Sequence, residues 1–321
     1  MTDKIKIGIG APTYNSIYRL ERFLSSIELY RDSNYEYKIV ILDDGTPNIE
    51  KRDGILELAA RFDVDFIQHE RNEGIPKSWN DLTRHFSTEI SFLFNDDICI
   101  CNENWMKCAI YALEQNDKVA VVGYPLIQID PATGLPNINY SLPNLDSSPG
   151  RVGAVVGCAF AFKRKAFDEV NGFDENIKSF YEETDFGFKL AQLGYYSVML
   201  PFPPIEHCGS QSFGQNIDIC IQQPIEEILS MQEYKEIMSK KFPMERIEPF
   251  PNVVYRMDYS RVYFAHKWGC SDLWNLIPGS GTCHSVWLLE KLVLAECAHA
   301  ARVYSPWHST HFLRLHRRGA Q

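Results

Sequence analysis

The 321-residue chain lacks three features that would each indicate a broad class of protein. No apolar run reaches the roughly 18 residues that a membrane-spanning helix needs, so an integral membrane protein is not expected. Basic residues are not in excess: the formal net charge is −10, which disfavours nonspecific nucleic-acid binding. The nine cysteines are scattered and odd in number, which fits a reducing cytosol better than a disulfide framework. Because Met-Thr-Asp-Lys leads straight into a strand pattern without a signal peptide, we expect a cytoplasmic location.

The chain also lacks the glycine-rich loops that hold phosphate groups in many nucleotide-binding proteins. Gly8 and Gly10 begin like a dinucleotide-binding fingerprint, but the third glycine would fall at Thr13, and Pro12 interrupts the turn that should open the helix. No phosphate loop ending in Gly-Lys-Ser/Thr is present either. A diphosphate bound here would therefore be neutralised by a metal ion and by individual side chains.

What the chain does contain is a regular alternation of strand-like and helix-like segments over its first 125 residues. Short apolar, β-branched runs predict the strands, and apolar residues at helical spacing predict the helices. The predicted strands are 4–10, 37–42, 64–68, 90–94 and 119–123, and the predicted helices are 16–30, 49–62, 75–86 and 103–115. This order is typical of an α/β protein with a Rossmann-like, mostly parallel sheet and helices on both faces.

The pattern changes at Pro125. Residues 125–150 are rich in proline and predict a long excursion or hairpin over the sheet edge. A strand at 153–162, a short helix, a helix at 183–192 and a strand at 195–200 follow, and then a mainly helical C-terminal appendage. We therefore divide the chain into a domain at 1–214 with halves 1–124 and 125–214, a helical extension at 215–269, and a tail at 270–321 for which little order is expected.

Four loops at the carboxyl ends of the predicted strands carry polar residues. Right-handed crossovers bring these ends to one rim, where open α/β sheets bind their ligands. The loops are residues 11–15, 43–46, 71–80 and 95–97. In the last one, Asp96 and Asp97 would repel each other unless a cation shares them. Each loop alone is ordinary turn chemistry, but together they predict a cation-binding site for a polar ligand.

These segments, in this order, resemble the family 2 glycosyltransferases, and in particular their rhamnosyltransferase-like branch. In the first half the resemblance rests on Ala-Pro-Thr-Tyr-Asn (11–15), Asp-Asp-Gly-Thr (43–46), Asn-Glu-Gly (72–74) with Trp79-Asn80, and Phe-Asn-Asp-Asp (94–97). In the second half it rests on residues 157–167, Gly-Phe-Asp-Glu (172–175), Tyr-Glu-Glu-Thr-Asp-Phe (181–186), Gly194-Tyr195 and His207. The resemblance covers residues 4–215, and Lys267-Trp-Gly269 is similar to a motif that commonly follows this domain in the family.

The resemblance implies the GT-A fold and a donor in which UDP, dTDP or GDP carries the sugar, with Mn²⁺ or Mg²⁺ on the diphosphate. It implies Asp97 as the principal metal ligand, Asp96 as the second, and His207 as the residue that completes the site. The residues implied to contact the nucleotide sugar are Pro12, Thr13, Asn15, Asp43, Asp44, Gly74, Lys77, Asn80, Asn95 and Asp96. Gly157 and Cys158 are expected in the pocket for acceptor and donor.

The residue that would act as catalytic base differs from the family pattern. Inverting sugar transfer needs a carboxylate that takes the proton of the acceptor hydroxyl during its attack on the anomeric carbon. In the family this base is the aspartate of a Glu-Asp pair at a helix start, and the chain has Glu182-Glu183 there. We therefore predict Glu183 as the base, with Asp185 in reserve and Glu182 beside it. Acids at a helix start also simply complement the helix dipole.

The acceptor is left open: a glycan, a lipid-linked sugar or another hydroxyl compound. Two other functions also stay open, a nucleotidyltransferase of related fold and a non-catalytic homologue that binds nucleotides or sugars. Residues 281–321 carry a net charge of +3 against −13 for the rest, which suggests a weak association with a membrane surface. A homo-oligomer is compatible with the sequence. The histidines and cysteines after residue 269 show no recognised metal-ligand spacing.

Overall fold

A computed structural model describes residues 5–129, 136–137, 150–152, 154–177 and 181–207, together with residues 260, 264, 267 and 268. Most of the predicted helical extension and the whole predicted tail lie outside these residues. Within the described part, no helix combines the length and the apolarity needed to cross a membrane.

The helices confirm the predicted pattern. Those in the described residues are α1 Ile17–Leu29, α2 Ile49–Arg61, α3 Ile75–Phe86, α4 Trp105–Glu114, α5 Arg164–Glu169 and α6 Glu182–Gln192. In α1, the apolar residues Leu20, Phe23, Leu24 and Ile27 recur at helical spacing and are all buried. The side chain of Asn48 caps α2 by accepting a 2.9 Å hydrogen bond from the backbone N–H of Lys51.

The strands form a large main sheet and a small second sheet. The main sheet contains β1 Lys6–Thr13, β2 Glu36–Asp43, β3 Asp65–Gln68, β4 Ile90–Phe94, β6 Val119–Gly123, β9 Gly150–Val152, β10 Ala159–Lys163 and β11 Tyr196–Met199. Its order is β3-β2-β1-β4-β10-β6-β11-β9, and all strands except β10 and β9 run in one direction. The second sheet contains β5 Ile98–Cys99, β7 Leu126–Ile129, β8 Pro136–Asn137 and β12 Ile205–His207.

Apolar cores lie on both faces of the main sheet. One core packs side chains of α1, α2 and α4 against the strands, and the other packs side chains of α3, α5 and α6. Gly8 and Gly10, which resemble the start of a dinucleotide-binding fingerprint, serve this packing instead. A Cβ on Gly8 would lie 2.3 Å from Cγ of Phe86, so the absence of a side chain lets α3 lie close over β1.

Two predicted strands differ from the structure. β1 continues to Thr13, past the predicted end at residue 10, and Pro12 lies within it. Beyond Gly10, β1 pairs with β2 alone, so a residue without an N–H is tolerated there. The strand predicted at 153–162 begins only at Ala159, and it runs antiparallel between β4 and β6. Long-range pairing with β4 and β6, rather than local apolarity, decides where this strand starts.

Candidate active site

The ends of β1 and β2 form one side of the rim. Thr13 lies opposite Asp43 in the parallel register, and the backbone N–H of Asp44 donates to the carbonyl of Thr13 at 2.9 Å. Asp43 is fully buried, and its Oδ1 accepts hydrogen bonds from the N–H and the hydroxyl of Thr46. The Thr46 hydroxyl oxygen in turn accepts from the N–H of Asn15. This chain of contacts brings Asn15 beside the two strand ends.

Asp44 holds the loop that leads into α3. Its Oδ1 accepts from the N–H of Glu73 at 2.9 Å and its Oδ2 accepts from the N–H of Gly74 at 3.0 Å. Nδ1 of His69 lies 2.8 Å from Oδ1 of the same carboxylate, and Nε2 of His69 lies 3.0 Å from Asp81. Asp44 therefore orders the predicted donor-binding loop. Its direct contact with a nucleotide stays a prediction.

His69 was not among the predicted residues, yet it sits between two carboxylates. Burial by itself lowers its pKa, but the hydrogen bonds and charges of Asp44 and Asp81 outweigh burial and raise the pKa of His69 to about 9. The ring therefore carries a positive charge at neutral pH. Nothing in the local sequence marks this residue, because its partners come from the end of β2 and from α3.

Two residues of α3 that were predicted to contact the donor are engaged elsewhere. Nζ of Lys77 lies 2.7 Å from both carboxylate oxygens of Asp81. The amide of Asn80 donates to the carbonyl of Phe173 and to Glu175, and its oxygen accepts from the N–H of Phe173. Asn80 thus fixes the turn after α5, and we withdraw it as a donor contact. The Lys77 assignment stays a prediction.

Asp96 turns toward β1 and α1. Its Oδ2 accepts a 2.7 Å hydrogen bond from the Thr13 hydroxyl, and its Oδ1 lies 3.7 Å from Nε of Arg19. Burial raises the pKa of Asp96 to about 6, although the charge of Arg19 opposes the shift. The ligand atoms of Asp96, Asp97 and His207 do not all come within 4.8 Å of one another. We therefore withdraw Asp96 as a metal ligand and keep it as a predicted nucleotide contact.

Asp97 and His207 do meet. Nε2 of His207 lies 3.3 Å from Oδ2 of Asp97, and both side chains are buried. Among the described residues, Oδ1 of Asp97 is buried without a hydrogen-bond partner, as is Oδ1 of Asn95 beside it. A buried carboxylate oxygen without a partner is costly, and a cation would satisfy it. This pair of oxygen and imidazole ligands fits Mn²⁺ or Mg²⁺, with diphosphate oxygens and water completing the coordination.

Glu183 lies next to Gly157. A Cβ built on Gly157 would come within 3.3 Å of the Glu183 carboxylate and 3.2 Å of the Trp79 ring. Glycine at 157 therefore leaves space directly in front of the predicted base. Cys158 follows, and its carbonyl accepts from the N–H of Asn95 at 2.9 Å, which ties this segment to the end of β4. The structure thus brings Gly157 and Cys158 between the predicted base and the predicted metal ligands.

The two glutamates at the start of α6 differ in environment. Glu183 is half-buried, while Glu182 is buried and its Oε2 has no hydrogen-bond partner in the described part of the chain. Burial raises the pKa of Glu183 to about 7, although backbone N–H groups of Glu183 and Thr184 oppose the shift. Burial, together with the charge of Glu183, raises the pKa of Glu182 well above its ordinary range. Of the two, only Glu183 combines partial exposure with a pKa suited to proton transfer.

Asp185, the predicted reserve base, is fully buried in an ion pair. Its carboxylate lies within 2.9 Å of Nζ of Lys267 and accepts a 2.8 Å hydrogen bond from the indole N–H of Trp268. Lys267 also contacts Asp174, at 2.6 Å. We therefore withdraw Asp185 as a base. Asp185 instead holds Lys267 and Trp268 against α6.

Comparisons with known proteins identify the family and the fold of the chain. The model of the family described as glycosyl transferase family 2 matches residues 9–170, about half of the chain. Two relatives, the N-acetylglucosaminyl-diphospho-decaprenol L-rhamnosyltransferases of Mycobacterium tuberculosis strains CDC 1551 / Oshkosh and ATCC 25618 / H37Rv, are 32% identical over 77 residues. This alignment spans 24% of the chain and only 25% of each relative.

Three solved structures share the fold. GalNAc-T7 with UDP, GalNAc and Mn²⁺ superposes with a TM-score of 0.54 at 15% identity, over 83% of this chain and 55% of that one. S. aureus TarS 1–349 gives 0.52 at 14% identity, over 94% and 83% of the chains. The mannosyltransferase PcManGT from Pyrobaculum calidifontis, with GDP-Man and Mn²⁺, gives 0.52 at 14%, over 94% and 86%. These likenesses show the GT-A fold. Because the family model matches half of the chain, the chain belongs to glycosyl transferase family 2.

Proposed function

We propose that the protein transfers a sugar, with inversion, from a nucleoside-diphosphate sugar to an acceptor hydroxyl. The observation that carries the proposal is the placement of two predicted sites, the Asp97–His207 pair and the half-buried Glu183 with a pKa of about 7, beside one short segment of the chain. Gly157 and Cys158 join the two sites. One site suits a departing diphosphate, and the other suits a hydroxyl that must lose its proton.

Asp97 and His207 would hold the cation. When bound there, Mn²⁺ or Mg²⁺ supplies positive charge to the diphosphate as its bond to the sugar breaks, which is worth several kcal/mol. Asp97 keeps one buried oxygen, Oδ1, available for this purpose. The Mn²⁺ named with two structures of the same fold supports a divalent cation here.

Glu183 would act as the general base. The acceptor oxygen attacks the anomeric carbon, the bond from that carbon to the diphosphate oxygen breaks, and the acceptor proton passes to Glu183. The products are a nucleoside diphosphate and a glycoside of inverted configuration. A pKa near 7 leaves Glu183 partly deprotonated at neutral pH and still basic enough to accept the proton, which is the balance that general-base catalysis requires.

The ends of β1 and β2 would bind the nucleotide. Asp43, Asn15 and Thr13 meet there, and Asp96 joins them through Thr13. The donor is a UDP-, dTDP- or GDP-linked sugar. A lipid-linked acceptor is the first to test, because the two aligned rhamnosyltransferases are named for a diphospho-decaprenol substrate.

A donor screen tests the proposal directly. Thermal unfolding is measured with UDP-, dTDP- and GDP-linked sugars, with and without Mn²⁺, since ligand binding raises apparent stability by mass action. We expect one nucleotide class to raise the melting temperature only when Mn²⁺ is present. Slow Mn²⁺-dependent hydrolysis of that donor would then separate an enzyme from a non-catalytic binding protein. Release of pyrophosphate from a nucleoside triphosphate and a sugar phosphate would instead indicate a nucleotidyltransferase.

NMR of the product establishes the stereochemistry. The anomeric coupling constant of the transferred sugar is compared with that of the donor, and inversion is expected. A product that keeps the donor configuration would refute the single-displacement mechanism and the role of Glu183 in it.

A further inference from the structure

The strand pair that positions His207 carries a second group of ligand atoms on its other face. β5 and β12 pair antiparallel, with Glu206 opposite Cys99 and His207 opposite Ile98. Because side chains alternate along a strand, Ile98, Ile205 and His207 share the buried face, and Cys99 and Glu206 share the other. Cys101, two residues after Cys99, is exposed on that outer side.

We propose that Cys99, Cys101 and Glu206 bind a thiophilic divalent cation of the Zn²⁺ type. One ligand atom from each of the three side chains lies within 4.8 Å of the others. Oε2 of Glu206 is 3.9 Å from Sγ of Cys101. A tetrahedral Zn²⁺, with bonds of about 2.3 Å to sulfur and about 2.0 Å to oxygen, separates its ligands by about 3.5–3.8 Å, so only a small adjustment is needed.

The second oxygen of Glu206 is already oriented. Oε1 of Glu206 accepts a 2.6 Å hydrogen bond from the Arg22 guanidinium, while Oε2 is the oxygen that faces the sulfur. Ligating carboxylates in metal sites are commonly held in this way by an outer partner. Arg22 also offsets the negative charge that two thiolates and a carboxylate bring together.

The donor set selects the class of ion. Two sulfurs and one carboxylate favour Zn²⁺ over Mg²⁺ or Mn²⁺, which prefer oxygen, so this site differs in selectivity from the Asp97–His207 pair. Three protein ligands leave one position for water on the exposed side. Binding would join β5 to β12 and release the two thiol protons.

Cobalt spectroscopy tests the site in the full-length, reduced protein after its metals have been removed with a chelator. Added Co²⁺ should give a thiolate-to-metal charge-transfer band, and one equivalent of Zn²⁺ should displace it. Cys99→Ser and Cys101→Ser should each lose the band, whereas Cys108→Ser, a matched thiol on α4, should keep it. Arg22→Ala should weaken Zn²⁺ binding by about tenfold, as loss of an outer partner does.

A second measurement needs no variant. In the wild-type protein, Zn²⁺ but not Mg²⁺ should slow the alkylation of Cys99 and Cys101, mapped by peptide mass spectrometry, and should leave Cys108 unaffected. Absence of the cobalt band, its persistence in both serine variants, or equal alkylation with and without Zn²⁺ would each overturn the proposal. None of these readouts involves sugar transfer, so they are independent of the proposed function.

Discussion

Nε2 of His207 lies 3.3 Å from Oδ2 of Asp97, although the two residues are far apart in the sequence. The register of the small sheet produces this contact, because it places His207 directly opposite Ile98, the residue after Asp97. Asp97 lies in the turn between β4 of the main sheet and β5, and His207 ends β12 of the small sheet. The proposed metal site therefore depends on the pairing of β5 with β12.

Replacement of Asp97 by alanine should reduce turnover strongly without preventing folding. Asp97→Ala is expected to lower kcat at least about a hundredfold, because the departing diphosphate loses its cation. His207→Ala should lower kcat less and raise the Mn²⁺ concentration needed for half-maximal rate. Steady-state rates across a Mn²⁺ series measure both effects, with Asp53→Asn on the exposed side of α2 as the control. An Asp97→Ala enzyme with normal Mn²⁺ dependence would refute the assignment.

Glu183→Gln keeps the shape of the side chain and removes its basicity. We expect kcat to fall by about 10²–10⁴-fold, with donor binding in the thermal-shift assay unchanged. Glu57→Gln, an exposed position on α2, is the matched control. If Glu182→Gln abolished turnover and Glu183→Gln did not, the base would be the other glutamate.

The pH dependence of the wild-type rate should show the same residue. A base acts only when deprotonated, so kcat/KM is expected to rise with pH and to level off above about 7, the pKa of Glu183. The limb should be absent from the residual activity of Glu183→Gln. A rate that stays constant from about pH 5.5 to about pH 8 would contradict this assignment, because this interval spans the pKa of Glu183.

His69 should make the free energy of unfolding decrease as the pH rises. Its pKa is about 9 in the folded protein and about 6.5 when unfolded, so its ion pairs stabilise fully below about 6.5. This contribution, up to about 3 kcal/mol, is lost as the pH rises through 9. Chemical unfolding at several pH values should show a slope between 6.5 and 9 that His69→Gln removes. An identical slope in the variant would assign the effect to other groups.

The ion pair between Lys267 and Asp185 should contribute to the stability of the domain. Lys267→Met leaves a fully buried carboxylate with only the Trp268 N–H, so we expect a loss of up to about 3 kcal/mol in the free energy of unfolding. Lys107→Met, at an exposed position on α4, is the control. A double-mutant cycle with Asp185→Asn measures the coupling, and a coupling near zero would show that the pair is not stabilising.

The order of the elements could be predicted because it depends on local patterns. Apolar residues at positions 20, 23, 24 and 27 have helical spacing wherever the helix packs, and the helices and most strands lie within a few residues of their predicted bounds. The motif order likewise indicated the family, and Asp97, Glu183 and His207 were candidates before their positions were known. Residue type and spacing are enough to predict these elements and candidates, because they reflect the chemistry that each segment needs.

Side-chain direction could not be predicted, because it is set by neighbours from distant parts of the chain. Asp96 and Asp97 are adjacent, yet Thr13 and Arg19 draw one toward β1, and His207 lies beside the other. Glu183 and Asp185 are two residues apart on one helix, and the helical turn sends them to different faces.

Residue patterns along the chain were enough to indicate an α/β protein with the motifs of glycosyl transferase family 2 in the order that the fold requires. Contacts in the folded structure were needed to establish that Glu183 is partly exposed and Asp185 buried, that β10 runs antiparallel, and that Cys99, Cys101 and Glu206 lie together at one face of a small sheet. The physical reason is the same in each case. Periodicity is a property of neighbouring residues, whereas strand pairing and the environment of a charge are fixed by contacts between segments that the sequence keeps apart.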